Sequence, residues 1–228
     1  MNCAIVVAAG SSRRMGFNKL LAPLAGRPVL LRSLLAFCRC QEIDEVIVVG
    51  GDEVEGSIAL WRHQVDLRKV SAVVQGGAQR HLSVLAGLQR CPADCQRVAV
   101  HDGARPLISP EQISACLRAA ASCGAAACAR PMTETLKRVD DQGRICGSIE
   151  REGAWIMETP QVFDLALLRQ AYAEVIASGQ LVTDEVSALQ LLGLPVEVVS
   201  NPQPNPKITF PQDLEWAAKW IEPQEPQA

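Results

Sequence analysis

Aromatic residues are scarce in this chain: one Tyr, four Phe and four Trp among 228 residues, 4% in all. With 48% hydrophobic residues, the core must instead be built of Val, Leu, Ile and Ala, the usual filling of a parallel sheet covered by helices. Charge of one sign is also lacking. A net charge of -3 excludes a protein that clothes itself in nucleic acid, whose footprint is strongly basic, so any anion site must be a local concentration of Arg and Lys. No apolar run reaches membrane-spanning length and no basic leader with an apolar segment precedes the first strand, so the expectation is a cytoplasmic protein with no membrane partner. No Pro/Gly/Ser-rich linker divides the chain. The length suits one α/β domain, expected over 1–221, followed by a Pro/Gln-rich tail over 222–228 expected to be disordered.

Nucleophile and metal patterns are missing too. The nine cysteines are odd in number, and Cys3, Cys38, Cys116 and Cys128 sit in apolar segments where a free thiol behaves as a small hydrophobe. Cys38-x-Cys40 and Cys91-x-x-x-Cys95 have no nearby His or second pair to complete a tetrahedral site. Reduced, buried or neutral thiols and no protein metal site are the expectation. No Ser/His or Cys/His arrangement of known spacing is present, which points away from a covalent intermediate.

What is present begins at the first strand. Ala4 to Ala8 is an apolar run of the kind that fills a strand buried on both faces, and it changes character within two residues. Gly10 and Gly16 bracket small and basic residues, so backbone N–H groups can approach a ligand while Arg13, Arg14 and Lys19 supply positive charge. An oligophosphate fits such a loop. The spacing is neither G-x-G-x-x-G nor a Walker A loop, because five residues separate the glycines and Lys19 follows three after Gly16. On composition alone the stretch reads equally as a basic, solvated turn.

Further along, helical patterning over 28–38 starts at Pro28, and 45–49, 71–74, 97–100, 125–129 and 195–199 read as strands. A poorly patterned helix is expected over 53–67. Gly76-Gly77 precedes a helix start, where amides can meet a base or phosphate and Ser83 can donate; the other reading is a simple turn with a solvated Arg80. His101-Asp102-Gly103-Ala104-Arg105 lies at the carboxyl end of the strand expected over 97–100, where open α/β sheets bind ligands. Asp102 and Arg105 read either as an ion pair closing a turn or as ligands, Asp102 for polyol hydroxyls or a magnesium-bound water and Arg105 for an anion. His101 reads as a hydrogen-bonded packing residue. Residues 133–151 alternate around an Asp/Gly turn as a β-hairpin too polar to bury much against its own domain, hence an arm for another subunit. Ser109-Pro110 starts a helix, amphipathic helices follow over 165–176 and 211–221, and Thr183 or Asp184 caps another.

Taken together, A-A-G-x-x-x-R-M-G with Lys19, G-G-x-x-R-x-x-S-V at 76–84, T-P-Q at 159–161, T-D-E-x-S-A-L at 183–189 and N-P-K-I-T at 205–209 resemble, in order, the motifs of nucleotidyltransferases related to the sugar-nucleotide pyrophosphorylases. They are most similar to the 2-C-methyl-D-erythritol 4-phosphate cytidylyltransferase family. Asn18 stands where that family usually has Pro, Ala78 where it is commonly acidic, and Pro206 where it has an apolar residue. The resemblance implies a Rossmann-like α/β fold with a mostly parallel twisted sheet and a projecting hairpin arm over 132–152 that makes a homodimer. It implies transfer of a cytidylyl group from CTP to a polyol phosphate, with Mg2+ held mainly by the CTP phosphates. Arg14, Lys19 and Lys207 become the catalytic cations. Ala8, Ala9, Gly10 and Ser12, with Gly77, Ala78, Ser83 and Gly103, hold the nucleotide. Asp102, Arg105, Thr159 and Thr183 hold the acceptor, joined by Thr135 and Arg151 from the partner's arm. A cytidylyltransferase for another polyol phosphate such as ribitol 5-phosphate, a sister enzyme using another nucleotide, and a silent nucleotide-binding regulatory module remain as rivals.

Overall fold

The computed structural model describes residues 1–10 and 15–221. In chain order the elements are β1 (Asn2–Val7), β2 (Pro23–Leu24), β3 (Arg27–Pro28), α1 (Val29–Arg39), β4 (Glu45–Val49), α2 (Asp52–Trp61), β5 (Val70–Val74) and α3 (Arg80–Arg90). They continue as β6 (Arg97–Asp102), α4 (Pro110–Cys123), β7 (Ala125–Pro131), β8 (Leu136–Val139), β9 (Ile145–Ile149), β10 (Trp155–Asp164), α5 (Leu165–Ser178), α6 (Glu185–Leu191), β11 (Glu197–Ser200) and α7 (Pro211–Ile221). A seven-stranded sheet runs in the order β11-β7-β10-β6-β1-β4-β5. Every pairing in it is parallel except those of β10, which lies antiparallel between β6 and β7.

Side-chain alternation along β1 feeds two cores. Ala4 and Val6 pack with α1, α2 and α4 on one face, while Cys3 and Ile5 pack with α3, α5 and α6 on the other. Fully buried Leu30, Leu34 and Phe37 place one side of α1 against the sheet, each contributing roughly 1.5–3 kcal/mol of burial. A third cluster joins the chain's two ends. Met15 of the first loop and Leu24 pack with Ile208 and with Ala217 and Ile221 of α7, which brings residues 205–209 against the carboxyl end of the sheet.

Several expectations need correction. The second helix stops at Trp61 rather than continuing to 67, because the last turn runs into Arg62–Gln64 turns that lack an apolar face. Pro28 is the residue before α1 and not its first helical one. The largest omission is β10, a ten-residue strand in the interior of the sheet. Proline argues against a central strand, since it cannot donate to the ladder. Here the register shifts between Met157 and Gln161, so Pro160 falls in an irregularity where no ladder bond is required of it. The hairpin forms as expected, β8 pairing with β9, and neither strand belongs to the main sheet. Ser12, Arg14 and the tail over 222–228 lie outside the described residues.

Candidate active site

The carboxyl ends of β1, β5 and β6 open onto one cleft. It consists of two hollows. The larger, about 390 Å³, is lined by Ala9, Gly10 and Lys19 after β1, by Gly77, Ala78, Gln79, Arg80 and Ser83 around the start of α3, and by Asp102, Ala104 and Lys207. The smaller, about 250 Å³, is lined by Arg80, Asp102, Arg105, Thr159, Thr183, Asp184 and Lys207, with Met157, Glu158 and Gln161. Arg80, Asp102 and Lys207 belong to both walls.

Local structure explains each wall. Ser83 is buried, and its hydroxyl accepts the Gly77 amide at 3.1 Å and donates to the Gln79 carbonyl at 3.2 Å, pinning the loop before α3. A Cβ on Gly76 would stand 2.2 Å from the Ala9 Cβ, so glycine lets the first loop and this one approach. Lys19 donates to the Ile208 carbonyl at 2.7 Å, and the Ile208 amide donates to Ala104 at 2.8 Å. The two ends of the chain therefore share one rim. Asn18, in place of proline, accepts the Leu20 amide at 3.2 Å and donates to Glu53 at 2.7 Å, which fixes the loop by side-chain bonding.

Asp102 is the electrostatic centre. Its Oδ2 accepts from Lys207 Nζ at 2.9 Å and lies 3.5 Å from Arg105 Nε, while its Oδ1 accepts from Arg80 Nε at 3.3 Å. Burial alone would raise its carboxyl, but the three cations outweigh burial and hold it well below the ordinary carboxylate range. Arg80 in turn forks onto Glu185 at 2.6 and 3.0 Å, and Tyr172 donates to the same carboxylate at 2.9 Å. Against the cost of burial, Glu185 and Asp102 raise the guanidinium further above its usual value. Burial first, then Glu185, pushes the Tyr172 phenol up as well.

Behind this lies a neutral relay. His101 is fully buried against Phe37, ring centroids 4.9 Å apart, and burial lowers its pKa to about 3. Its Nε2 faces the Arg105 carbonyl at 3.2 Å, an acceptor, so the proton sits there and Nδ1 accepts from the Thr159 hydroxyl at 2.9 Å. The same hydroxyl accepts the Asp102 amide at 3.1 Å. Asn205 ties Thr159 and Arg105 together, donating to the Thr159 carbonyl at 2.9 Å and accepting Arg105 at 2.8 Å.

Among the residues singled out from sequence, Ala9, Gly10, Lys19, Gly77, Ala78, Ser83, Asp102 and Lys207 thus line the larger hollow, and Arg105, Thr159 and Thr183 the smaller. Ala8 and Gly103 line neither. Gly103 is a packing residue, since a Cβ there would meet Leu30 at 2.8 Å and the Val7 carbonyl at 3.1 Å. Thr135 and Arg151 stand on the hairpin away from both walls, Arg151 donating to the Thr133 carbonyl at 2.7 Å. Of the two capping candidates, Asp184 is the cap, accepting the Ser187 amide at 3.0 Å. Of the two readings of the Gly76–Val84 stretch, the simple turn with a solvated Arg80 does not hold, because Arg80 is only 25% exposed and paired with Asp102 and Glu185. Glu185 belongs to the T-D-E motif but was given no role from sequence, and Tyr172 carried no signal beyond an apolar helix face.

A family model described as 2-C-methyl-D-erythritol 4-phosphate cytidylyltransferase matches residues 2–222. Among curated relatives, proteins of that name from Symbiobacterium thermophilum and Parasynechococcus marenigrum are 40% and 42% identical, covering 96% and 92% of this chain and 92% and 93% of their own lengths. The solved 4-diphosphocytidyl-2C-methyl-D-erythritol synthase from Anaerococcus prevotii superposes with a TM-score of 0.84 at 29% identity, covering 97% of this chain and 98% of its own. The solved 2-C-methyl-D-erythritol 4-phosphate cytidylyltransferase from Thermus thermophilus gives 0.78 at 30% identity, covering 97% and 100%.

Proposed function

The chain belongs to the 2-C-methyl-D-erythritol 4-phosphate cytidylyltransferase family, and from that premise we propose how its own residues carry the transfer. It is a nucleotidyltransferase of isoprenoid precursor synthesis that joins the cytidylyl group of CTP to 2-C-methyl-D-erythritol 4-phosphate and releases pyrophosphate. In our reading CTP occupies the larger hollow and the acceptor the smaller. The observation that carries this is the shared wall: one ammonium, Lys207, borders both hollows.

Attack of a phosphate oxygen on the α-phosphorus brings two anions together, so the barrier is electrostatic. Amides around Gly10 and Gly77 receive the triphosphate, with Lys19 beside it. Lys207 sits where charge grows on the oxygens between donor and acceptor, and Arg105 faces the incoming phosphate. Asp102 keeps these cations gathered before substrate arrives, and its depressed pKa keeps it an anion throughout the working range. No proton need leave the attacking phosphate, which agrees with a buried, neutral His101 that faces no hollow.

The donor set fits Mg2+ carried on the nucleotide rather than caged by protein. Among the described residues Asp102 is the one carboxylate lining the larger hollow, and Mg2+ ordinarily combines one or two carboxylates with substrate phosphates. When bound, the ion would neutralise triphosphate charge.

The hairpin supports a homodimer. Ile145 is 69% and Val139 54% exposed on strands that are hydrogen-bonded only to each other, an apolar surface suited to a second copy. Thr135 and Arg151 would then complete the partner's acceptor hollow.

The test is pyrophosphate release across four nucleoside triphosphates and a panel of polyol phosphates. Release confined to CTP with 2-C-methyl-D-erythritol 4-phosphate is expected. Faster release with ribitol 5-phosphate, or nucleotide binding without release, would overturn the reading.

A further inference from the structure

At the amino end of the sheet, opposite the cleft, three thiols meet. Cys3 comes from β1, Cys91 caps the carboxyl end of α3, and Cys95 sits in the connection to β6. Nothing in the sequence groups Cys3 with a pair some ninety positions away, yet their Sγ atoms all lie within 4.8 Å of one another. Metal–thiolate bonds of about 2.3 Å around a trigonal centre set sulfurs about 4 Å apart, so the group needs only a small contraction to close on one ion.

We propose that Cys3, Cys91 and Cys95 form a three-thiolate site for a soft monovalent cation with a filled d shell, for which Cu(I) is the probe. Thiolate sulfur selects such ions over hard, oxygen-seeking ones. Structural zinc takes four ligands, and among the described residues this group supplies three. As thiols, Cys91 donates to the Gly87 carbonyl at 3.6 Å and Cys95 to the Arg97 carbonyl at 3.2 Å, weak bonds that ligation would exchange for metal–sulfur bonds. Arg169, which donates to the Leu88 carbonyl at 3.1 Å, brings a positive charge to this end of α3, of the sign that complements a thiolate cluster. Each ligating thiol gives its proton to solvent and no electron is transferred. Cys3 is 0% exposed whereas Cys91 and Cys95 are each 7%, so the ion enters from the Cys91/Cys95 side.

The test is anaerobic titration of the reduced full chain with Cu(I), followed by challenge with a competing chelator such as bathocuproine disulfonate. One equivalent is expected to survive the challenge, with sulfur-to-copper absorbance in the ultraviolet and a raised melting temperature. Cys91→Ser/Cys95→Ser should bind at least about 100-fold more weakly, since even an outer-shell change costs 10–100-fold in metal affinity. Cys123→Ser/Cys146→Ser, which removes two exposed thiols, should behave as the parent. Should the double variant at the cluster fail to fold, Cys95→Ala alone replaces it, with the same loss expected. Retention of copper by the cluster variant, or its loss from the Cys123/Cys146 variant, would overturn the proposal. So would a product two mass units lighter that holds no copper, which means a disulfide.

Discussion

Lys207 places its ammonium 2.9 Å from the Asp102 carboxylate although 105 residues separate them in the chain. That contact exists because α7 packs its Ala217 and Ile221 with Met15 of the first loop, drawing the preceding segment over the cleft. The same carboxylate gathers Arg80 and Arg105.

Lys207→Ala tests whether that gathering serves transfer. Its side chain is 40% exposed, so the fold should survive with a melting temperature near that of the parent. Loss of one donor to developing charge typically lowers kcat by about 10²–10³-fold, and that loss is expected here in pyrophosphate release under saturating substrates. Turnover within about threefold of the parent would remove Lys207 from the chemistry, being far less than such a loss.

Glu185→Ala is a stability experiment. The carboxylate is 0% exposed and answers Arg80, itself only 25% exposed, with a bidentate pair. Removing one partner of a buried pair leaves an uncompensated charge and costs about 3–5 kcal/mol. Denaturant titration should show this. Tyr172→Phe, which removes only the phenolic donor, should cost about 1.5–3 kcal/mol, the range for a hydrogen bond to a charged group.

Gly76→Ala probes the approach of the two loops proposed to hold the nucleotide. The added methyl would stand 2.2 Å from the Ala9 Cβ and 3.1 Å from the Ser83 hydroxyl, so a loop must move. Overpacking of this kind costs about 1–3 kcal/mol. The expected signature is a raised KM for CTP with a smaller change in KM for the acceptor. Equal changes in both would mean that the methyl disturbs the whole cleft.

Acid should destabilise the protein in a window set by His101. Burial, opposed in part by Asp102, brings its folded pKa to about 3 from an ordinary 6.5. Between those values the unfolded chain binds a proton that the folded one refuses, so stability is full above the upper value. It falls as pH drops through the window, by up to about 1.4 kcal/mol per pH unit. Asp102, also depressed, adds loss in the same direction below its unfolded value of 3.8. Urea titrations at several pH values between 7 and 5 should show a shallower decline for His101→Gln than for the parent. Identical slopes would contradict the assignment.

How much of this was legible in the sequence depended on whether a residue's partner lay nearby in the chain. β1, β4, β6 and β7 announced themselves as apolar runs, and Asp102 with Arg105 stood at a strand end where α/β folds bind ligands. Lys207 was legible only through the motif around it. Arg80 also stood in a motif, as the arginine of G-G-x-x-R-x-x-S-V, but no role was assigned to it, because its partner Glu185 lies in a helix far along the chain. β10 was hidden by Pro160, whose usual cost to a sheet is avoided by a register shift that only tertiary structure supplies. Cys3, Cys91 and Cys95 looked incomplete for the same reason, as the third thiol arrives across the sheet.

Mixing two inactive variants decides whether the hairpin completes a neighbour's site. If Arg151 serves in trans, Arg151→Ala and Lys207→Ala are each inactive as homodimers. In a hybrid dimer, the protomer that retains Lys207 receives the intact arm of its Lys207→Ala partner, so one competent site is rebuilt while the other carries both defects. Unfolding and refolding the two variants together should therefore restore activity that neither shows alone, in proportion to the hybrid formed, with a dimer mass by sedimentation. Docking of the arm would bury the exposed Ile145 and Val139. If Arg151 acts within its own chain, the hybrid holds one site lacking Arg151 and one lacking Lys207, and no activity returns. A monomer mass for the parent would exclude the trans arrangement outright.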